Sequence, residues 1–254
     1  MDWATRRRII ILLMVSAVVT VLITVVSMVT FYKAPSCSDG IQNQGEAGID
    51  CGGPCAYLCT AQELPPTVLF TKVISNGTGR TDVVASIENT NAAAAAKNVQ
   101  YTVSVYGPSQ EFIQQITGTL DLPPTATVPV FIPGIGFNNQ KITNAFLTID
   151  PKNIQWFTAS QTIPPNPVVS NITLGGSAAT PRIDAILTNA SVSALSNVRA
   201  IVLVHNAQNE VIAASSTIVP IIPPQGQATA SFTWNTAFSD VPTTIEVVPL
   251  ISLP

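Results

Sequence analysis

From about residue 67 onward, apolar and polar residues alternate in short runs separated by turn residues. Val83, Ala85 and Ile87 alternate with Asp82, Ser86 and Glu88, and Asn89 ends the run. Tyr101, Val103 and Val105 then alternate with Gln100, Thr102 and Ser104. A period of two places one set of side chains on each face of a pleated strand, so these runs predict half-buried antiparallel strands. The first thirty residues follow another rule. Ile9 to Tyr32 is an uninterrupted run of 24 residues without a charge.

The alternating part repeats itself with a period of about 100 residues. Ile183, Ala185 and Leu187 stand where Val83, Ala85 and Ile87 stood, and Asn189 answers Asn89. Asn98-Val99 returns as Asn197-Val198, and Glu111-Phe112-Ile113 as Glu210-Val211-Ile212. Gly107 to Gln110 and Asn206 to Asn209 are matching polar turns. Leu122-Pro123-Pro124 matches Ile222-Pro223-Pro224. About seven short strands in about 100 residues is the size of an immunoglobulin-like sandwich. The expected fold is therefore an all-β ectodomain of two tandem immunoglobulin-like β-sandwiches after one N-terminal transmembrane helix. The expected boundaries are 67–162 for the first sandwich and 168–254 for the second. Glu63 to Pro66 and Ile163 to Pro167 are read as proline-rich, extended linkers. Ala92 to Ala96 reads as a small-residue loop, and Gly134-Ile135-Gly136 as a turn.

At about 1.5 Å per residue, the run 9–32 exceeds the roughly 30 Å hydrocarbon core of a bilayer. Arg6, Arg7 and Arg8 precede it. The positive-inside rule keeps residues 1–8 cytoplasmic and puts the chain after Lys33 outside. A cleaved signal peptide is the rival, but its apolar core is shorter and ends in a small-residue cleavage site. Ser16, Thr20, Thr24 and Ser27 are among the polar residues of the run, which holds no Asp, Glu or Lys. Without an ionisable group it reads as an anchor, not a transport path.

Charged residues make up 10% of the chain. From residue 34 onward, seven Lys/Arg face thirteen Asp/Glu, a net charge of −6. Such a surface excludes nucleic acid as a partner.

All four cysteines fall within residues 34–60: Cys37, Cys51, Cys55 and Cys59. An even number clustered just outside a membrane predicts two disulfides in an oxidising compartment, with three pairings open. Zinc on four thiolates is a weaker reading, because the spacing is not that of paired knuckles. Asp39, Asn43, Glu46 and Asp50 lie in the same loop among glycines and form a candidate Ca²⁺ site of oxygen ligands. The competing reading, which ranks above it, has these side chains capping turns. The order Cys37-Ser38-Asp39-Gly40, Asn43, Glu46, Gly48, Asp50-Cys51-Gly52-Gly53-Pro54-Cys55 resembles C-x-D-G-x-x-N-x-x-E-x-G-x-D-C-G-G-x-C, a motif of bacterial surface and secreted proteins. The resemblance implies a surface location and no activity. The succession of strands, Asn-Val steps and Pro-rich turns, with Pro224-Gln225-Gly226 leading to Phe232-Thr233-Trp234, resembles bacterial cell-adhesion-related (CARDB-like) and FxLyD-like sandwich domains. It implies a fold more than a function.

Catalytic chemistry is sparse. His205 is the single histidine, read as a solvated strand end, and no nucleophile elbow accompanies it. Asn76-Gly77-Thr78, Asn171-Ile172-Thr173 and Asn189-Ala190-Ser191 fit the N-glycosylation sequon. The two repeats differ on their outward positions. Gln100, Thr102 and Ser104 are polar, whereas Arg199, Ile201 and Leu203 are largely apolar, with Ile186 on a neighbouring strand. Ile186, Ile201 and Leu203 are therefore expected to share one outer face. Its cover is either the chain itself, such as Val247 to Leu253, or a partner or second copy. The function expected is that of a membrane-anchored structural or adhesive binding protein without catalysis. The alternative is an accessory subunit of an envelope secretion or pilus assembly, with other envelope or surface proteins as partners.

Overall fold

The computed structural model describes residues 2–31, 35–75, 81–135, 141–159 and 165–253. Tyr32 to Ala34, the sequon at Asn76, Gly136 and the Ile163-Pro164 step lie outside the described residues. The chain forms two bodies, Met1–Cys55 and Ala56–Pro254.

The first body opens with α1, a helix of 29 residues from Trp3 to Phe31. Its Ile, Leu and Val side chains face outward all round. Thr20 Oγ1 donates to the Ser16 carbonyl at 2.8 Å and Thr24 Oγ1 to the Thr20 carbonyl at 2.9 Å. Each hydroxyl is thus satisfied one turn back within the helix, as an apolar surrounding demands. The helix is long and apolar enough to cross a membrane. The cysteine loop as far as Cys55 follows and completes this body.

The second body is all β. Its first sandwich holds β1 (Thr67–Ser75), β2 (Thr81–Asn89), β3 (Ala94–Tyr106), β4 (Phe112–Leu122), β5 (Ala126–Ile135), β6 (Asn144–Ile149) and β7 (Trp156–Thr158). One sheet runs β1-β2-β5; the other runs β4-β3-β6, with β7 also paired to β3. The second sandwich holds β8 (Val168–Ser177), β9 (Thr180–Thr188), β10 (Leu195–His205), β11 (Val211–Ile222), β12 (Gln227–Thr233) and β13 (Thr244–Leu250). Its sheets run β8-β9-β12 and β11-β10-β13. The second sandwich therefore copies the strand order of the first. Every pairing is antiparallel.

Each sandwich has its own core between its two sheets. Val83, Ala85 and Ile87 meet Val103, Val105 and Trp156 in the first. Ile183, Ala185 and Leu187 meet Val202, Val204 and Phe232 in the second. Neither core contains cysteine, so packing alone holds the sheets together.

Two local expectations are corrected. Ala94 to Ala96 begin β3 and pair with β7, in place of the small-residue loop. They are fully buried, and their short side chains let the Trp156 ring into the core beside Ala94 and Ala96. Gly134 lies within β5, not in a turn, and its N–H donates to Asp82 Oδ1 at 2.7 Å.

The two sandwiches are joined face to face. Ile74 and Val84 of the β1-β2-β5 sheet pack with Ile201, Leu203, Val211 and Ala214 of the β11-β10-β13 sheet. Phe70, Phe131 and Leu250 close the edges of this third cluster. As a result β2 and β10 are buried on both faces. Asp82 to Ile87 and Ala200 to Val204 are unbroken buried runs. At the rim, Lys72 Nζ lies 3.5 Å from Glu210 Oε2, and the Leu253 N–H donates to Asp121 Oδ2 at 2.8 Å.

Candidate functional site

The cysteine loop folds around its carboxylates. Asp50 accepts from the N–H groups of Asp39 and Gly40, each at 2.9 Å. Asp39 accepts from the Ile41 N–H and from Asn43 Nδ2, both at 2.9 Å. Glu46 is buried and accepts from the Asp50 N–H at 3.1 Å and from Gln44 Nε2 at 3.3 Å. Asp50 and Gly40 stand at φ of +56° and +74°, so the loop turns sharply where Asp or Gly tolerates a left-handed backbone.

All three carboxylates are thus brought together, and each accepts hydrogen bonds from the loop itself. This is turn capping, the reading that ranked first. Calcium on the same oxygens would compete with those amides. The fourth candidate ligand, Asn43, carries a buried Oδ1 without a hydrogen-bond partner. Cys37 and Cys55 form a disulfide with Cα atoms 5.6 Å apart. Cys51 and Cys59 are disulfide-bonded as well, and no cysteine is free. Glu46 Oε1 lies 3.1 Å from Cys55 Sγ. Cys37, Glu46 and Cys55 come close enough to suggest a metal cluster. Their sulfurs are spent on the disulfide, however, and a thiolate is what a metal needs.

The apolar triad is not brought together. Ile201 and Leu203 lie on β10 and point into the interface between the sandwiches, 2% and 3% exposed. Ile186 lies on β9, in the opposite sheet, beside Ser170 of β8 and Thr229 of β12. It is half-buried on the far outer face. Alternation assigned each residue to the outside of its own strand correctly but could not say that β9 and β10 belong to different sheets. The cover over Ile201 and Leu203 is the first sandwich, with Leu250 at its edge. Val247 belongs to the second core instead.

His205 is also corrected. Its ring is only 11% exposed, with Nε2 3.8 Å from Glu246 Oε2 and Nδ1 3.4 Å from the Asn209 carbonyl. His205 ends β10 at a register shift against β11 and pairs with Thr244 of β13. Of the sequons, Asn189 is buried with its amide fully occupied, whereas Asn171 is exposed at a bulge with φ +49°.

Two groups on the outer faces escaped the sequence reading. Arg182 grips Asp184 through Nε at 2.8 Å and through Nη2 at 3.0 Å, and Ser231 Oγ donates to the same carboxylate. The Arg182 hydrogen bonds, then that of Ser231, hold the Asp184 carboxyl below its ordinary range. The second group is aromatic: Tyr106, Phe112 and Phe146 meet edge to face on the outside of the first sandwich. Aromatic residues at the outward places of an alternating strand were the available signal.

No family model matches the chain, and no curated protein does. Among solved structures, red sea bream transglutaminase is 12% identical over 73% of this chain, with a TM-score of 0.24. The chain spans 31% of that protein's length. Coconut allergen cocosin is 12% identical over 74% of this chain and 85% of its own, with a TM-score of 0.11. At such TM-scores neither likeness carries an argument about this chain.

Proposed function

We propose that this chain is a membrane-anchored binding protein of the cell surface, without catalysis, whose two sandwiches are presented outside the cytoplasm. The observation that carries the reading is the third apolar cluster. Ile74, Val84, Ile201 and Leu203 join the sandwiches into one body, so the chain holds a fixed surface instead of two swinging modules. Arg6 to Arg8 before the apolar helix supply the orientation. The resemblance of the cysteine loop to a surface-protein motif, and of the repeats to adhesion-related sandwiches, points the same way. An accessory subunit of an envelope secretion or pilus assembly is the alternative. The apolar face that would have met such a partner is occupied by the first sandwich.

The test uses intact cells carrying the full chain with a C-terminal tag. Added protease should remove the tag while cytoplasmic markers stay whole. The same cells should attach to a surface more than cells lacking the chain. A protected tag, or a mature N-terminus near residue 34, overturns the anchored topology. Normal topology without attachment overturns the binding role.

A further inference from the structure

The apolar interface uses the opposite sheet of the first sandwich, and the β4-β3-β6 sheet touches the second sandwich only at the end of β4, where Asp121 accepts from the Leu253 N–H. Its outer face has an unusual chemistry. At one end the Tyr106 ring lies 5.9 Å from Phe112 and 5.8 Å from Phe146, both edge-on. Phe112 and Phe146 are 58% and 60% exposed. Two large rings left in water beside a third form an apolar platform, of a kind that marks binding surfaces.

From this platform, rows of uncharged polar side chains cross the sheet. Thr102 and Ser104 on β3 alternate with buried Val103 and Val105. Thr117 of β4 and Thr148 of β6 sit directly opposite Thr102 on either side. The far end opens into a cavity of about 250 Å³ lined by Gln100, Thr102, Thr148, Asp150 and Asn153. From Tyr106 to Gln100 the face extends roughly 20 Å along β3, at about 3.3 Å per residue.

We infer that this face binds a neutral polysaccharide. The inference rests on the binding-protein reading above and names its ligand class. Charge complementarity decides the class. The charged side chain at the far end is an acid, Asp150, and the rows themselves hold hydroxyls and amides, so a nucleic acid, an acidic polymer or an anionic lipid head would find no counter-charge there and would meet a like charge. A folded protein partner would call for a contiguous apolar centre. Here the apolar part sits at one end, and the rest is hydroxyl and amide with the Asp150 carboxylate at the far end. A neutral sugar chain matches both parts. Its C–H faces pack on aromatic rings, and its hydroxyls exchange hydrogen bonds with groups that both donate and accept. The straight, extended row suits a polymer rather than a single sugar.

The experiment takes the purified full chain in detergent micelles through native gels cast with dextran, a β-1,3-glucan or a mannan. Dextran sulfate serves as the acidic control. At least one neutral polymer should retard the protein. The double variant Phe112→Ala/Phe146→Ala should weaken that retardation about tenfold or more, with the circular dichroism unchanged. Thr117→Glu, which spares the rings and places a charge in the row, should weaken it too. Retardation by no neutral polymer, by dextran sulfate alone, or surviving both variants overturns the inference. Micelles remove membrane topology from the question. Cells that attach through a chain that ignores all three polymers would leave the binding role standing and this ligand class refuted.

Discussion

Asn89 and Asn189 perform one task 100 residues apart. Asn89 Nδ2 donates to the carbonyls of Ala94 at 2.9 Å and Pro123 at 2.7 Å, and its Oδ1 accepts from the Asn91 N–H at 3.1 Å. Asn189 Nδ2 donates to Ser193 at 2.8 Å and Pro223 at 3.0 Å, and its Oδ1 accepts from the Ser191 N–H at 2.9 Å. In each sandwich one buried amide therefore ties the strand end to the Pro-Pro turn. Asn189→Ala removes one donor from each carbonyl, which keep the Ser191 hydroxyl and the Gly226 N–H, and takes the acceptor from the Ser191 N–H, so it should cost about 1–3 kcal/mol in thermal unfolding of the full chain. A loss below about 0.5 kcal/mol would show that water replaces the amide. Turn position 125 is the second test. Gln225 stands at φ +49° and Thr125 at φ +48°. A β-branched residue is poorly suited to that region, whereas Asn tolerates it. Thr125→Asn should therefore stabilise the protein by about 0.5–1 kcal/mol, and a lower melting temperature would refute the strain. The sequence showed each Asn as the end of a strand. Its role was hidden, because the proline carbonyls it bonds lie 34 positions along the chain.

At the scale of the element, alternation was a good guide to faces and a poor guide to termini. It separated Val83, Ala85 and Ile87 from Ser86, which is what the first core requires. It failed at Ala94 to Ala96, where a run of small residues looked like a loop. Those residues need smallness because Trp156 fills the space above them, a contact across about 60 positions that no local window contains. Pairing also places charge across strands. Asp184 of β9 faces Ser231 of β12, with Arg182 two residues away on the same face. Because hydrogen bonds from Arg182 and Ser231 depress the Asp184 carboxyl, the folded state binds its proton less readily than the unfolded one. The stabilisation is present above the ordinary Asp value of about 3.9 and fades as pH falls through the lower folded value. Asp240 behaves alike, held down by the Val241 N–H and then by Asn206. Melting curves of the wild type and Asp184→Asn should thus differ at neutral pH and converge in acid. Added salt should shrink the difference, since the pair is exposed. Parallel curves at every pH would show that the ion pair does not favour the fold.

The differences between the repeats, more than their likeness, encode the whole molecule. Two identical sandwiches would each turn a polar sheet to water. Here Ile201 and Leu203 stand where the first repeat has Thr102 and Ser104, and β10 is buried on both faces in consequence. The sequence announced an outer face in need of a cover. It did not reveal that the cover is the first sandwich, since docking depends on Ile74 and Val84 of strands in the other repeat. The grouping of Ile186 with Ile201 failed for a related reason: period two distinguishes inside from outside, not one sheet from another. The consequence is measurable. Leu203→Ala opens a packed site between the sandwiches and should cost about 2–5 kcal/mol, as core truncations do. Ile186→Ser, on the half-buried outer face of β9, should move stability by no more than about 0.5–1 kcal/mol. Thermal unfolding of the full chain in detergent decides between two arrangements. If the sandwiches are one body, Leu203→Ala lowers the melting temperature strongly and exposes the interface to protease. If it behaves like Ile186→Ser, the sandwiches are independent beads, and the fixed binding surface proposed for this chain loses its support.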